Sequence, residues 1–190
     1  MDLNIFRIIN KMAGRSRLLD MIMITISKKA RYVYVLLLII LWFRNKNYKK
    51  HSLLTGVSVG VTYIITFIIK FFNYQPRPFV NHEVHLLPPV PAKKDSSFLS
   101  KHTALAFAAA VSVLLYQRIF GKIMWYLGIF IGISRIWMGH HYPYEIVRSA
   151  ALGSIASFMV HLTKKLWDPI LSRFIYSYNR FCSFLKFQLK

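Results

Sequence analysis

Three short clusters of basic and polar residues have side chains that suit chemistry on a phosphate group. Arginine binds phosphate well because its planar guanidinium donates two parallel hydrogen bonds, and phosphoryl transfer requires little beyond positioning and stabilisation of charge. Where two histidines are available, one can attack phosphorus and the other can protonate the leaving oxygen. The clusters are Lys70 with Arg77-Pro78, Ser100-Lys101-His102-Thr103, and Ser134-Arg135 with His141 and Glu145.

Glu145 follows His141 by four residues. A carboxylate can hold an imidazole in the tautomer that a nucleophile requires, and on a helix that begins here this spacing puts both side chains on one face. The candidates also have ordinary interpretations. Lys70 is then a lysine that reaches from a helix end to the membrane surface, and Ser100 and Glu145 are helix caps.

The composition predicts a single membrane domain over residues 1–190. Hydrophobic residues make up 55% of the chain and charged residues only 17%, whereas about a quarter of residues are charged in ordinary soluble domains. The 26 Lys and Arg residues far outnumber the 6 Asp and Glu residues. Most of them stand at the ends of apolar stretches, which favours contact with membrane lipids and disfavours a nucleic-acid-binding face. The single cysteine, Cys182, excludes an intramolecular disulfide and a cysteine metal site.

The apolar stretches predict an all-α, polytopic membrane helix bundle with five or six transmembrane helices, because each approaches the roughly 20 residues that cross the hydrocarbon. Residues 1–27 are predicted to contain an interfacial N-terminal helix. Whether they also form a sixth span stays open. The basic and aromatic tail, 164–190, is predicted to lie on the membrane surface. The predicted spans, within a transmembrane core of 28–163, are residues 31–43 with their flanks, 53–72, 103–116, 123–138 and 146–162.

Alternation of these spans predicts that the three clusters meet at one end of the bundle. The connection 73–102 contains five prolines, so it is expected to form an active-site loop and not a continuous helix. Short basic segments at the opposite end predict, by the positive-inside rule, that the clusters face the outer side of the membrane. Lys93, Lys94 and Lys101 also lie on the predicted outer side and weaken that orientation. Charged groups close to a bilayer are costly and usually functional, so their convergence favours a site.

The spacing Lys-x6-Arg-Pro, then Ser-x-His, then Ser-Arg-x5-His-x3-acid resembles the signature of the type 2 phosphatidate phosphatase (lipid phosphate phosphatase) superfamily. The segments SRIWMGHHYP at 134–143, PRPFV at 76–80 and LLDMIM at 18–23 are most similar to the bacitracin-resistance undecaprenyl-diphosphatase branch of Gram-positive bacteria. The resemblance covers about residues 1–165. It implies a six-helix membrane bundle in the bacterial plasma membrane, with the site near the outer leaflet and no metal or other cofactor.

The same resemblance implies a role for each matching residue. His141 is implied as the nucleophile, with Glu145 as the acidic residue that orients it, and His102 as the general acid that later activates water. The implied phosphate ligands are Lys70, Arg77, Ser100 and Arg135. His140 is adjacent to the nucleophile but does not match the motif, so no catalytic role is assigned to it.

Two positions depart from the family pattern. Leu99 stands where the family usually has proline, and Glu145 stands where it usually has aspartate. Loss of the proline is expected to loosen the loop that carries Ser100 and His102, and the glutamate places its charge one methylene further out. Because an error near 1 Å can reduce catalysis about a hundredfold, these departures predict reduced activity unless the backbone compensates.

Three functional hypotheses follow. The first is a phosphatase that converts undecaprenyl diphosphate to undecaprenyl phosphate and phosphate through a phospho-histidine, and thereby supports cell-wall lipid recycling and bacitracin resistance. The second keeps this chemistry with another lipid phosphate, phosphatidylglycerol phosphate or phosphatidate. The third is a non-enzymatic permease subunit or lipid-binding relative with a decayed site. The partners expected in the first case are an isoprenyl diphosphate lipid and membrane lipids, with no nucleic acid; the oligomeric state stays open.

Overall fold

The computed structural model describes residues 2–92 and 96–188, and this part of the chain forms eight α-helices. Lys93 and Lys94, two of the basic residues predicted on the outer side, lie outside the described residues. The helices are α1 (Asp2–Asn10), α2 (Arg17–Arg44), α3 (Lys46–Phe72), α4 (Pro78–Asn81), α5 (Lys101–Leu114), α6 (Arg118–Trp137), α7 (Pro143–Leu162) and α8 (Lys164–Gln188).

Polar caps separate the long helices at sharp chain reversals. Asn45 ends α2 and also begins α3, where its side-chain oxygen accepts a hydrogen bond from the backbone N–H of Asn47 at 3.1 Å. Gln117 begins α6 in the same way, by accepting from Phe120 N–H at 3.1 Å. Such caps satisfy backbone donors that the first turn of a helix leaves unpaired.

Helix α5 is the centre of the bundle and packs against α2, α3, α6 and α7. Small side chains make this close packing possible, because alanines let helix backbones approach each other. The buried alanines of α5 are Ala104, Ala106, Ala108, Ala109 and Ala110. On the facing helix, Gly153 contacts the carbonyl oxygen of Ala104 so closely that α7 has no room there for a Cβ.

A buried stripe of hydroxyl side chains follows one face of α3. Thr55, Ser58, Thr62 and Thr66 are spaced by three or four residues, and all are inaccessible to solvent. Each hydroxyl donates to the backbone carbonyl four residues earlier, at 2.7–3.1 Å. This local pairing lets polar residues pack inside a helix of the bundle without an unsatisfied group.

The structure is that of a membrane helix bundle, and among the described residues two helices, α3 and α6, are long and apolar enough by themselves to cross a bilayer. A third span results if α7 and residues Lys164–Leu185 of α8, which are bent by 77° to each other, count as one broken span. Helix α5, with 14 residues, is only about 21 Å long. The predicted total of five or six spans is therefore not reproduced by helix length and composition.

The N-terminal segment differs in two ways from its expected form. Helix α2 runs without a break from Arg17 to Arg44, although the sequence suggested a boundary between residues 27 and 28. Helix α1 is also fixed to the site end of the bundle. Asn10 donates to the carbonyls of His85 and Trp137, both at 2.9 Å, and Phe6 packs on Tyr142 with ring centroids 5.5 Å apart.

The contact between α5 and α7 can be tested with a pair of glycine substitutions. We expect Gly153→Ala to reduce the free energy of unfolding by about 1–3 kcal/mol, because the new methyl group must displace backbone atoms of Ala104. Gly56→Ala is the matched control, since a Cβ at Gly56 meets nothing within 4 Å. Thermal unfolding of both variants in detergent measures the difference, and equal midpoints would contradict the packing argument.

Candidate active site

A cavity of about 440 Å³ lies at the end of the bundle where the three sequence clusters meet. Five of the seven predicted site residues line it, namely Lys70, Arg77, His102, Arg135 and His141. They come from the end of α3, the loop before α4, the start of α5, the end of α6 and the α6–α7 connection. The predicted convergence of the clusters is therefore present in the structure.

The other two predicted residues, Ser100 and Glu145, lie behind the cavity wall. Glu145 is fully buried and acts through His141, whose Nδ1 is 2.9 Å from Glu145 Oε2. Ser100 is also inaccessible, and its hydroxyl accepts hydrogen bonds from the backbone N–H and the hydroxyl of Thr103. Ser100 therefore caps α5, which is its ordinary interpretation, and its hydroxyl is directed at that helix.

Three donors converge on one oxygen of Glu145. Besides His141, the hydroxyl of Ser97 donates to Oε2 at 2.6 Å and the backbone N–H of Tyr142 donates at 3.1 Å. Glu145 thus caps the first turn of α7 and holds His141 with the same oxygen. A fully buried carboxylate requires several donors of this kind to remain ionised.

Ser97 is a site residue that the sequence did not reveal. It is inaccessible to solvent, and it reaches Glu145 across 48 positions of the chain. The backbone N–H of Ser97 donates to the carbonyl of Gln75 at 2.8 Å, which ties the serine to the loop that carries Arg77. Only its position three residues before Ser100 could have drawn attention to it.

The geometry indicates which nitrogen of His141 is available for chemistry. Nδ1 faces Glu145, so it carries the proton, whereas Nε2 lies 3.4 Å from a guanidinium nitrogen of Arg77 and is left with its lone pair. Burial, and then the positive charges of Arg135 and Arg77, hold the pKa of His141 well below its ordinary value of 6.5. The imidazole is therefore neutral near pH 7, as a nucleophile must be.

Both arginines are almost completely buried. Arg77 is 5% exposed and donates to the carbonyl of His140 at 3.1 Å, and Arg135 is 7% exposed and donates to Ser27 Oγ at 2.8 Å. The contact with Ser27 brings α2 into the site and was not predicted. His140 does not line the cavity. Its Nε2 forms a hydrogen bond with the carbonyl of Leu87, and its own carbonyl accepts the hydrogen bond from Arg77.

The two departures from the family pattern are accommodated by local contacts. Glu145 reaches His141 at hydrogen-bond distance despite its longer side chain. Leu99 is 3% exposed, and the loop beside it is fixed by a 2.8 Å hydrogen bond from Ser100 N–H to Ser149 Oγ. Ser149 in turn donates to the carbonyl of Glu145 at 2.6 Å. These bonds hold the loop in place of the proline; the predicted reduction in activity stays a prediction.

Further cations complete the cavity wall. Lys28, Arg31 and Lys101 line it beside the predicted residues, and within the described ranges no lining residue is acidic. In the same part of the chain, no group of three or more His, Cys, Asp or Glu side chains is arranged to hold a metal ion. The cavity is thus suited to an anion, with its most buried cations next to a neutral histidine.

The chain belongs to the PAP2 superfamily, whose sequence profile matches residues 51–168. It is 34% identical over 180 residues to the undecaprenyl-diphosphatase BcrC of Bacillus subtilis. The aligned region covers 94% of this chain and 92% of the relative.

Two crystal structures have a similar fold. Aquifex aeolicus LpxE superposes with a TM-score of 0.69 and is 29% identical, over 84% of this chain and 93% of its own. A transmembrane PAP2-type phosphatidylglycerolphosphate phosphatase from Bacillus subtilis has a TM-score of 0.63 and 19% identity, over 86% of both chains. The second likeness concerns the fold alone.

The low pKa of His141 makes folding stability depend on pH. Below about pH 6.5, the unfolded chain binds a proton at this residue while the folded chain does not, so stability is lost as the pH falls. The expected slope from His141 alone is at most about 1.4 kcal/mol per pH unit. Unfolding midpoints between pH 7.5 and pH 5 should therefore fall more steeply for the wild type than for His141→Asn. Parallel curves would contradict a neutral, buried His141.

Proposed function

We propose that this protein hydrolyses undecaprenyl diphosphate to undecaprenyl phosphate and inorganic phosphate, with His141 as the nucleophile. The observation that carries the proposal is the hydrogen bond between His141 Nδ1 and the buried Glu145. It holds His141 in the wall of a cavity whose charged lining residues, within the described part of the chain, are all cations. This arrangement supplies a nucleophile of fixed tautomer and charge stabilisation for the transferred phosphoryl group. The similarity to a relative named as an undecaprenyl-diphosphatase supports this lipid as the substrate.

In the proposed first step, Nε2 of His141 attacks the terminal phosphorus in line. The bond from phosphorus to the bridging oxygen breaks, and His102 gives its proton to that oxygen, so that undecaprenyl phosphate leaves. Lys70, Arg77 and Arg135 stabilise the charge on the equatorial oxygens, and backbone N–H groups near Ser100 assist.

In the second step, His102 accepts a proton from water while the water oxygen attacks the phosphorus atom carried by His141. The bond between phosphorus and nitrogen breaks, inorganic phosphate leaves, and His141 returns to its neutral form. Throughout, Glu145 accepts the Nδ1 proton in a hydrogen bond and stabilises the positive charge that develops on the ring.

An apolar groove of about 320 Å³ adjoins the cavity and supports a lipid as the substrate. Ser27, Arg31, Lys101 and His102 line both spaces, and most of the other groove residues, such as Leu38, are apolar. A phosphate in the cavity can therefore continue into a hydrocarbon chain in the groove. We further propose five or six spans in the bacterial plasma membrane, with the cavity at the outer face, as the positive-inside rule favours.

The direct test compares phosphate release from undecaprenyl diphosphate by the wild type and by His141→Ala in detergent. We expect a loss of at least about a thousandfold in the variant, since the nucleophile acts as a unit with its acid and its carboxylate. Turnover on phosphatidylglycerol phosphate and phosphatidate in parallel tests the preference for the diphosphate. Equal rates for His141→Ala and the wild type would overturn the mechanism, and no release from any of the three lipids would favour a non-enzymatic role.

Ser97 provides a second test of the same unit. We expect Ser97→Ala to reduce kcat about tenfold, because Glu145 loses a buried charge-assisted hydrogen bond and holds His141 less firmly. Ser154→Ala is the matched control, since that hydroxyl donates only to the carbonyl of Ala150 within its own helix. A kcat for Ser97→Ala equal to that of the control would contradict a positioning role for this serine.

A further inference from the structure

Two cations at the mouth of the cavity have no part in the proposed reaction at His141. Arg31 belongs to α2 and Lys101 to the start of α5, so they come from helices that face each other across the groove. Both side chains are exposed. Their aromatic neighbours are the ring of Tyr32, with Arg31 5.1 Å from its centre, and the ring of Tyr63, with Lys101 5.8 Å from its centre.

These two cations lie on the His102 side of the cavity. His102 lines both the cavity and the apolar groove, as Arg31 and Lys101 do, whereas His141, Arg77 and Arg135 line the cavity but not the groove. In the proposed mechanism, the leaving group departs on the side of His102.

Arg31 and Lys101 also mark the boundary between the cavity and the apolar groove, because both line the two spaces. A ligand that extends from His141 and the buried arginines into the apolar groove passes His102, Arg31 and Lys101, which line both spaces. The chemical order of a lipid diphosphate is the same: terminal phosphate, bridging oxygen, inner phosphate, hydrocarbon chain.

We propose that Arg31 and Lys101 form a second phosphate subsite, which binds the inner, lipid-linked phosphate of a diphosphate substrate. This inference rests on the proposed function and names the feature of the substrate that the site selects. A lipid monophosphate places its only phosphate beside His141 and leaves the second subsite empty. A diphosphate fills both subsites, and its charge is neutralised at each phosphate by cations on different helices.

The second subsite also explains a catalytic advantage for the diphosphate. When the bridging bond breaks, negative charge develops on the inner phosphate, which is the leaving group. Positive charge at that phosphate stabilises the transition state more than the bound substrate, because the negative charge on the phosphate is greater in the transition state. Arg31 and Lys101 are therefore expected to affect kcat as well as binding.

The experiment measures binding of inorganic pyrophosphate and of inorganic phosphate to the purified protein by titration calorimetry, for the wild type, Arg31→Gln and Lys101→Gln. We expect the wild type to bind pyrophosphate at least about tenfold more tightly than phosphate, and each variant to lose about tenfold in pyrophosphate affinity alone. The matched control is Lys29→Gln, an exposed cation on α2 that lines neither space. It should bind both anions as the wild type does.

Turnover gives an independent readout of the same subsite. In Arg31→Gln and Lys101→Gln, the ratio of kcat/KM for undecaprenyl diphosphate to that for phosphatidate should fall about tenfold. Equal pyrophosphate and phosphate affinities in the wild type, or equal losses for both anions in the variants, would overturn the second subsite. A wild type that binds pyrophosphate preferentially but releases no phosphate from the lipid diphosphate would instead overturn the proposed function and leave the subsite standing.

Discussion

The hydrogen bond from His141 to Glu145, together with the one from Ser97 to the same carboxylate, links three of the segments that form the site. Glu145 starts α7, His141 belongs to the connection after α6, and Ser97, which donates to the same carboxylate oxygen, belongs to the loop before α5. A buried carboxylate is tolerated only with enough donors, so burial of Glu145 favours an arrangement in which these three segments meet. The requirement that stabilises this end of the bundle also fixes the orientation of the imidazole.

The cations of the cavity impose the complementary constraint. Arg77 and Arg135 are buried and close together, and no acidic residue in the described part of the chain lines their cavity. Mutual repulsion makes such a site costly when it is empty, and an anionic ligand relieves that cost. In the proposed mechanism, the negative charge of the substrate also favours the protonated form of His102, which then donates to the leaving oxygen.

Much of this site follows from the sequence, because helical spans that alternate in direction bring their ends together. Lys70, Arg77, His102, Arg135 and His141 share one cavity as predicted, and the four-residue spacing of Glu145 does bring it to His141. The resemblance to a known phosphatase family supplied the roles, and the match to the PAP2 superfamily confirms that family.

Contacts between distant segments could not be predicted in this way. Ser27 meets Arg135 across 108 positions, and nothing in the apolar stretch around Ser27 indicates that α2 continues past Lys28 and Arg31 beside the cavity. Ser100 illustrates the opposite case, since a motif residue directs its hydroxyl at its own helix. Helix length alone also does not reveal how many elements cross the membrane when the central helix, α5, is short and surrounded by other helices.

In the proposed mechanism, His141 itself carries the phosphoryl group between the two steps. A single-turnover experiment tests it most directly: undecaprenyl diphosphate labelled in its terminal phosphate is mixed with excess protein, quenched in base within milliseconds, and digested to peptides. We expect transient label on the peptide that contains His141, stable to base and labile to acid, which decays as inorganic phosphate appears. Formation of inorganic phosphate at the full rate without any label on that peptide, label on the peptide that contains His102, or label that fragmentation of the peptide places on His140 would contradict it.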